Sequence, residues 1–379
     1  LPKFFKNKYF YVFLCIILIL IFSLNSAAHN LKLNFIDVGQ GDCILIQGPD
    51  GSNILVDGGD SDDQTAEHII NYLNNKDVKK LDYIISTHPH SDHIGNLAAV
   101  LNNFPVDNVL DSGRIHTSQT YENYLQTIEA KQINFKLPRT GDKIKIGQLS
   151  LLFLNPDKNV NDYSLNNASL VFMLSYKKQK FLFTGDMEKE IENKLLQNNF
   201  DLKANLIKVP HHGSDSSSTA AFVKAVQPEI AVFQVGKDNN YGHPEQKIIN
   251  RYHQIGSKIY RNDLNGDIVV NSNGTALAVK VLKTASEKQL LTGHQEKINA
   301  NQQQTKANSA SNYKNKKINI NHASAAELTS LWGVGPATAK KIIAYRKKHG
   351  PFQAISAIKN VKGISEVKFA HWKNRITIK

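Results

Sequence analysis

Tyr83-Ile84-Ile85-Ser86-Thr87-His88-Pro89-His90-Ser91-Asp92-His93 begins as an apolar run and ends in four side chains able to bind a metal ion. Residues 83–86 read as a buried strand, and the loop after it can bring His88, His90, Asp92 and His93 to one point. Imidazole and carboxylate together suit zinc, manganese or iron, and two such ions need about this many donors. Three further stretches have the same build. Phe181-Leu182-Phe183-Thr184-Gly185-Asp186 is an apolar strand ending in a carboxylate that could bridge two ions. Val209-Pro210-His211-His212-Gly213-Ser214 closes the apolar strand 206–209, and Ile54-Leu55-Val56-Asp57-Gly58-Gly59 adds another carboxylate at a strand end.

Outward from these motifs, short β-type runs alternate with helical stretches. Residues 31–38, 43–47 and 53–57 read as successive strands separated by the turns Gly39-Gln40-Gly41 and Gly48-Pro49-Asp50-Gly51. Strands are also expected at 149–154, 169–176, 181–184, 206–209, 230–235 and 258–260. Helices are expected at 65–74, from 95 to 101, at 222–226 and at 246–254. Strands and helices in this rhythm predict an α/β (α+β) sheet core flanked by helices.

The chain has 379 residues, enough for two domains, and with 41% hydrophobic and 21% charged residues it has a globular composition. Two cysteines, Cys15 and Cys43, exclude a disulfide framework and a four-cysteine zinc site. The net charge of +13 is unevenly spread. From Asn312 to Lys379 fourteen lysines and arginines face only Glu327 and Glu366, so that stretch carries +12 and the long middle of the chain is near neutral. Affinity for a polyanion is therefore expected in one short module. At the other end, Lys3, Lys6 and Lys8 precede an uncharged apolar run, 9–22, and the small residues Ser26-Ala27-Ala28. This is the build of a signal peptide, 1–28, or of an N-terminal anchor, and it predicts a secreted protein or one held on the outer face of the cytoplasmic membrane. The expected organisation is a domain at 29–283 that carries the His/Asp motifs, a flexible polar linker at 284–317 and a compact module at 318–379.

The motifs resemble those of the metallo-β-lactamase superfamily, whose hallmark is an H-x-H-x-D-H loop, and within it the hydrolase domain of ComEC-type DNA-uptake proteins. Asp37-Val38-Gly39-Gln40-Gly41-Asp42, the His88–His93 loop, Thr184-Gly185-Asp186, Pro210-His211-His212-Gly213-Ser214 and Tyr241-Gly242-His243-Pro244 carry the likeness. It implies an αββα sandwich with two divalent ions, zinc or manganese, at one edge. His88 and His90 would bind one ion, Asp92 and His93 the other, with Asp186 between them and one of His211 and His212 as a further ligand. Taking His211 for the metal set leaves His212 for catalysis beside Asp92 and His243. The superfamily usually supplies one more histidine before the bridging aspartate. Here Asn166-Asn167 stands in that region, and His116 is expected on the substrate side or the surface. Two cations would lower the pKa of a bridging water and neutralise the oxygen under attack. His243, the spare histidine or a bound water would protonate the leaving group. Asp37 and Asp42 are expected to be structural, accepting from nearby N–H groups.

In the basic module, Ser324 and Glu327 are spaced as a capping box. Leu331-Trp332-Gly333-Val334-Gly335-Pro336 then turns into a helix whose N-terminal N–H groups could cradle a phosphate, with Lys340 and Lys341 one turn on. Residues 318–379 resemble the all-α helix-hairpin-helix domain of ComEA-type competence proteins. The resemblance implies DNA contacts from Gly333, Val334, Gly335, Lys340 and Lys341, and from a second hairpin at Gly363 and Ser365, where serine stands in place of a usual glycine. Such binding reads phosphates and carries little sequence specificity. The expectation is an exported, metal-dependent DNA phosphodiesterase with a tethered DNA-binding module. The alternatives are a hydrolase of another phosphoester, such as phosphorylcholine or a cell-wall ester, and a non-catalytic protein that captures extracellular DNA.

Overall fold

The computed structural model describes residues 30–293 except 199, and 317–378 except 325, 326, 329, 330, 332, 333, 335, 365 and 374. The expected signal segment, most of the expected linker, and Gly333, Gly335 and Ser365 lie outside the described residues. Two compact units result, divided between Asn299 and Ala300.

The first unit is built on two sheets. One runs β15-β14-β1-β2-β3-β4-β5-β6, with β1 Leu31–Phe35, β2 Ile44–Gln47, β3 Asn53–Val56, β4 Leu81–Ser86, β5 Val106–Asp111, β6 Asn134–Lys136, β14 Ile268–Ser272 and β15 Leu277–Val281. The other runs β13-β12-β11-β10-β9-β8-β7, with β7 Lys143–Ile146, β8 Leu149–Asn155, β9 Val171–Tyr176, β10 Gln179–Phe183, β11 Leu206–Lys208, β12 Ile230–Phe233 and β13 Lys258–Arg261.

The sequence alternates with a period of two but is apolar on both faces, so each sheet is covered twice. Phe181 and Phe183 pack between the sheets with Phe35, Ile46, Val56, Phe153 and Phe172, while Leu182 between them points to the opposite face. Emptying one such position, as in Phe172→Ala, costs about 3–5 kcal/mol. Helix Asp63–Asn75 buries Ile69, Tyr72 and Leu73 on the outer face of the first sheet and starts at Asp62, whose carboxylate accepts from Thr65 N–H at 2.8 Å. Helices Lys189–Gln197, Ala220–Val226 and Gln246–Gln254 cover the second sheet. The unit is thus an αββα sandwich. The strands β3 to β6 are mutually parallel, as are β10 to β13. Open parallel strands collect ligand sites at their C-terminal ends.

Three differences from expectation have physical causes. The first strand stops at Phe35 because the chain then turns through Gly39 and Gly41. Strands β5, β6, β7, β14 and β15, and helices Gln119–Ala130 and Lys189–Gln197, are additional. Residues 284–293, placed in the linker by composition, fold onto the first unit instead. Ser286 and Gln289 cap helix Glu287–Leu290, Gln246 Nε2 donates to Leu291 O at 2.8 Å, and the buried Arg261 Nη1 donates to Thr292 O at 2.5 Å.

In the second unit the short strands Ile318–Asn319 and Ile376–Thr377 pair in parallel, a small departure from an all-α module. Helices Pro336–His349 and Glu366–Trp372 and the turn Ile355–Asn360 gather around Ile320, Leu328, Leu331, Ile342, Phe352 and Trp372. Ser324 and Glu327 form the expected reciprocal cap, at 2.8 and 3.2 Å. Among the described residues no helix is long and apolar enough to cross a membrane.

Candidate metal centre

Five parallel strands end at one place, β3 and β4 from the first sheet and β10, β11 and β12 from the second, and each delivers a polar group there. Asp57 follows β3, Thr87 and His88 follow β4, and Asp186 follows β10. Lys208 ends β11, His211 and His212 lie just beyond it, and Gln234 follows β12. His93 sits on the short helix Ser91–Ile94. The turn at Gly41 supports this helix from behind: Asp42 N–H donates to Asp92 O at 3.1 Å, and a Cβ on Gly41 would stand 2.1 Å from that oxygen. Only glycine fits so close an approach, and its φ of +124° suits glycine alone.

Asp92, His93, Asp186 and His212 bring four ligand atoms within 4.8 Å of one another. His93 Nε2 and His212 Nε2 are 3.2 and 3.3 Å from Asp186 Oδ2, and His212 Nε2 is 3.3 Å from Asp92 Oδ2. Each imidazole is oriented from behind. His93 Nδ1 donates to Asp57 Oδ2 at 2.8 Å, and His212 Nδ1 donates to Gln234 O at 2.8 Å, which leaves both Nε2 atoms facing the cluster. Asp57 is itself fixed, accepting from Thr87 N–H at 2.8 Å and Thr87 Oγ1 at 2.7 Å. His211 and His212 both adopt left-handed φ, +48° and +54°, which holds the two rings in a strained turn.

The geometry places both histidines of this pair beside Asp186, at different distances. His212, expected for catalysis, joins the four-atom cluster. His211, expected in the metal set, lies at its edge, with Nε2 3.9 Å from Asp186 Oδ2 and Nδ1 2.9 Å from Ser216 Oγ. His88 Nε2 is 4.0 Å from the same Asp186 oxygen and 2.9 Å from His90 Nδ1. Asp186 Oδ2 is therefore approached by four imidazoles, His93 and His212 at 3.2 and 3.3 Å and His88 and His211 at 4.0 and 3.9 Å. Asn166 reaches His211, with Nδ2 3.5 Å from His211 Nε2 and Oδ1 buried without a partner. His116 is elsewhere engaged, its Nδ1 2.9 Å from Ser118 Oγ.

Lys208 is a residue that the motifs do not point to. Its ammonium, 1% exposed, lies 2.5 Å from Asp42 Oδ2 and 3.5 Å from Asp186 Oδ1, and it donates to Gly185 O at 3.1 Å. Asp42, expected to accept from N–H groups, is instead paired with this lysine. The signal in the sequence is a lysine inside the apolar run Leu206-Ile207-Lys208-Val209, since a charge is buried in a strand only when it has a partner.

The donor set fits divalent ions. His93 Nε2, His212 Nε2 and Asp186 Oδ1 are buried without a hydrogen-bond partner. Among the described residues, the carboxylates of Asp42, Asp57, Asp92 and Asp186 face a single buried ammonium, that of Lys208. Burial alone would raise Asp186, but His212, His93 and Lys208 pull it well below the usual carboxylate range. Burial opposes charge on His93, yet Asp186, Asp92 and Asp57 raise it well above an ordinary imidazole. Such a surplus of negative charge is what a dication would neutralise. The cluster opens into a cavity of about 280 Å³ bordered by Gln40, Asp92, His212, Tyr241 and His243. Burial, then His212 and His211, push His243 down to about 4.

In the second unit, Lys340 and Lys341 are exposed on the helix after the first hairpin, and Gly363 is exposed with φ +101°. Val334 does not fit a phosphate contact. Its side chain is buried in the core and its N–H donates to Leu331 O at 3.0 Å. Arg346 is also structural, donating to Ile320 O and Ala323 O at 2.7 and 2.8 Å.

Comparison with known proteins gives the same two parts. The profile of the Metallo-beta-lactamase superfamily matches residues 36–237, and that of a Helix-hairpin-helix motif matches residues 313–377. ComE operon protein 3 of Bacillus subtilis (strain 168) is 29% identical over 269 residues, 67% of this chain and 34% of that protein. Competence protein ComA of Neisseria gonorrhoeae is 29% identical over 237 residues, 61% of this chain and 30% of that protein. ComE operon protein 1 of B. subtilis is 48% identical over 62 residues, 16% of this chain and 30% of that protein. The chain spans about a third of the length of these curated relatives.

Proposed function

The chain belongs to the metallo-beta-lactamase superfamily, and from that premise we propose that it is a divalent-metal-dependent phosphodiesterase acting on DNA. The observation that carries this reading is the union, in one chain, of a buried His/Asp cluster with a basic helix-hairpin-helix motif. Relatives named for competence support it. The N-terminal composition and those names also support a site of action outside the cytoplasmic membrane, with a catalytic domain beginning near residue 29 and a DNA-binding module at 318–379.

Asp92, His93, Asp186 and His212 would hold one ion, and His88, His90 and His211 would hold a second that shares Asp186. When bound, such ions activate water and neutralise charge on phosphoryl oxygens. The chain's own contribution is positioning. Asp57 and the Gln234 carbonyl fix His93 and His212, and the Lys208 ammonium, 3.5 Å from Asp186 Oδ1, offsets the charge of a carboxylate whose Oδ2 faces the imidazoles. His243 lines the cavity, where burial and the neighbouring His212 and His211 favour its neutral form, which carries one N–H and one acceptor nitrogen. In the tail, Lys340 and Lys341 neutralise phosphates, and the tether raises the local DNA concentration at the cluster.

The test is cleavage of linear and circular DNA by the full chain with manganese, zinc or magnesium, beside His93→Ala and Lys340→Ala/Lys341→Ala. Metal-dependent cleavage abolished by His93→Ala is expected. The lysine pair should flatten the salt dependence of DNA binding by about 0.9 in log–log slope for each phosphate no longer neutralised. Bound metal with DNA intact under all conditions overturns the proposal.

A further inference from the structure

Tyr241 is, among the described residues, the most exposed large aromatic side chain, at 66%, and it stands at the mouth of the cavity that holds the cluster. A lone exposed aromatic needs no explanation by itself. Its setting does. The ring lies nearly parallel to that of His243, 18° between planes and 6.0 Å between centroids, and His243 in turn is 5.8 Å from the His211 ring. Tyr241, His243 and His211 thus form a file of rings from solvent to the edge of the cluster. One face of Tyr241 is turned to His243, and most of the ring remains open.

The backbone beneath the ring is fixed. Asn239 Oδ1 accepts from Tyr241 N–H and His243 N–H, both at 3.1 Å, and Asn239 Nδ2 donates to Gly236 O at 3.0 Å and His243 O at 2.6 Å. Gly236 N–H donates to Gln40 Oε1 at 3.2 Å, tying the loop to the turn that also supports Asp92. One side chain therefore holds both ends of the segment that displays the ring. Little order remains to be gained when a planar ligand settles on it.

We propose that Tyr241 is the stacking platform for a nucleobase next to the phosphodiester at the cluster, which selects base-bearing substrates over other phosphodiesters. The inference rests on the phosphodiesterase reading and names its substrate class. Stacking is indifferent to which base is offered, in keeping with a tail that reads phosphates. A base on Tyr241 must leave its own stack, so unpaired stretches and strand ends are the preferred form.

The experiment measures kcat/KM of the full chain with manganese on a labelled oligonucleotide and on its counterpart with abasic tetrahydrofuran units around the cleavage site. Wild type is expected to prefer the base-bearing strand by roughly 5- to 140-fold, the 1–3 kcal/mol of one stacked base taken at 1.4 kcal/mol per tenfold. Tyr241→Phe keeps that ratio. Tyr241→Ala brings it close to one, mainly through KM, while manganese affinity by calorimetry stays that of wild type. A wild-type ratio near one, or a ratio that survives in Tyr241→Ala, overturns the platform while leaving the phosphodiesterase reading intact. No cleavage of either strand by wild type overturns both.

Discussion

Lys208→Met removes the buried ammonium of the centre while keeping the apolar stem in the core. The magnitude follows from what is left behind. Asp42 loses a partner at 2.5 Å and Asp186 one at 3.5 Å, in surroundings where Lys208 and Asp42 are 1% and 2% exposed. Breaking a buried pair from one side costs about 3–5 kcal/mol, because the remaining charge stays buried and uncompensated. The Gly185 carbonyl loses its donor as well, worth about 1 kcal/mol. In a unit of this size each kcal/mol moves Tm by roughly 2–4 °C, so the metal-free variant should melt roughly 10–20 °C lower. The assay is thermal unfolding by circular dichroism in EDTA, with Asp42→Asn and the double variant completing a cycle. Asp42→Asn/Lys208→Met should cost clearly less than the sum of the single changes, since it removes both charges of the closer pair. Added manganese should narrow the gap, because a dication restores positive charge beside Asp186. A Tm within about 2 °C of wild type in EDTA, less than 1 kcal/mol would move it, or an additive cycle, would refute the reasoning.

The ligand geometry makes a second prediction: in calorimetric titration with manganese, His212→Ala weakens the tighter site more than His211→Ala does. Asp57→Asn, which replaces the carboxylate that orients His93 but leaves the four donors of the cluster in place, should lower affinity by about 10- to 100-fold. A third concerns Asp111, which is buried and, by desolvation offset in part by the Gly113 N–H, has its carboxyl raised from 3.8 to about 6. A raised carboxyl makes the folded state bind a proton more tightly than the unfolded one. Its cost is therefore absent below the unfolded value and grows as pH rises to about 6, reaching about 3 kcal/mol above that. Asp111→Asn should remove this slope. Urea unfolding at pH 4, 5, 6 and 7 checks it, and parallel curves for the two proteins would sink the assignment.

The parts of the fold that can be read from sequence are those where local pattern and tertiary role agree. Phe181–Phe183 and Ile54–Val56 announce strands because they are apolar on both faces, and each ends in a chemistry-bearing residue where a parallel strand meets the sandwich edge. Helix Gln119–Ala130 is less legible. It is mostly polar, and only Tyr121, Tyr124 and Ile128 mark its buried stripe. The hairpin β14–β15 carries a usable signal in Asn273-Gly274, which sits between its strands. At the centre, the donor residues are visible as motifs, but their division is not. Whether His211 or His212 turns inward depends on two consecutive left-handed residues, and adjacent positions of one residue type give no local clue to that. The partners of Asp42 and His212, namely Lys208 and the Gln234 carbonyl, come from other strands, so only tertiary contact reveals them. Composition misleads at 284–293, where a polar segment is held by side chains of Gln246 and Arg261 rather than by its own apolar residues.

The cluster draws Asp92 and His93 from the first sheet's side and Asp186 and His212 from the second. The later pair is made about a hundred residues after the earlier one. Neither half of the sandwich alone brings all four donors of this cluster, so the site is complete only when the two sheets have packed together. An ion held by all four donors would therefore tie the two sheets to each other.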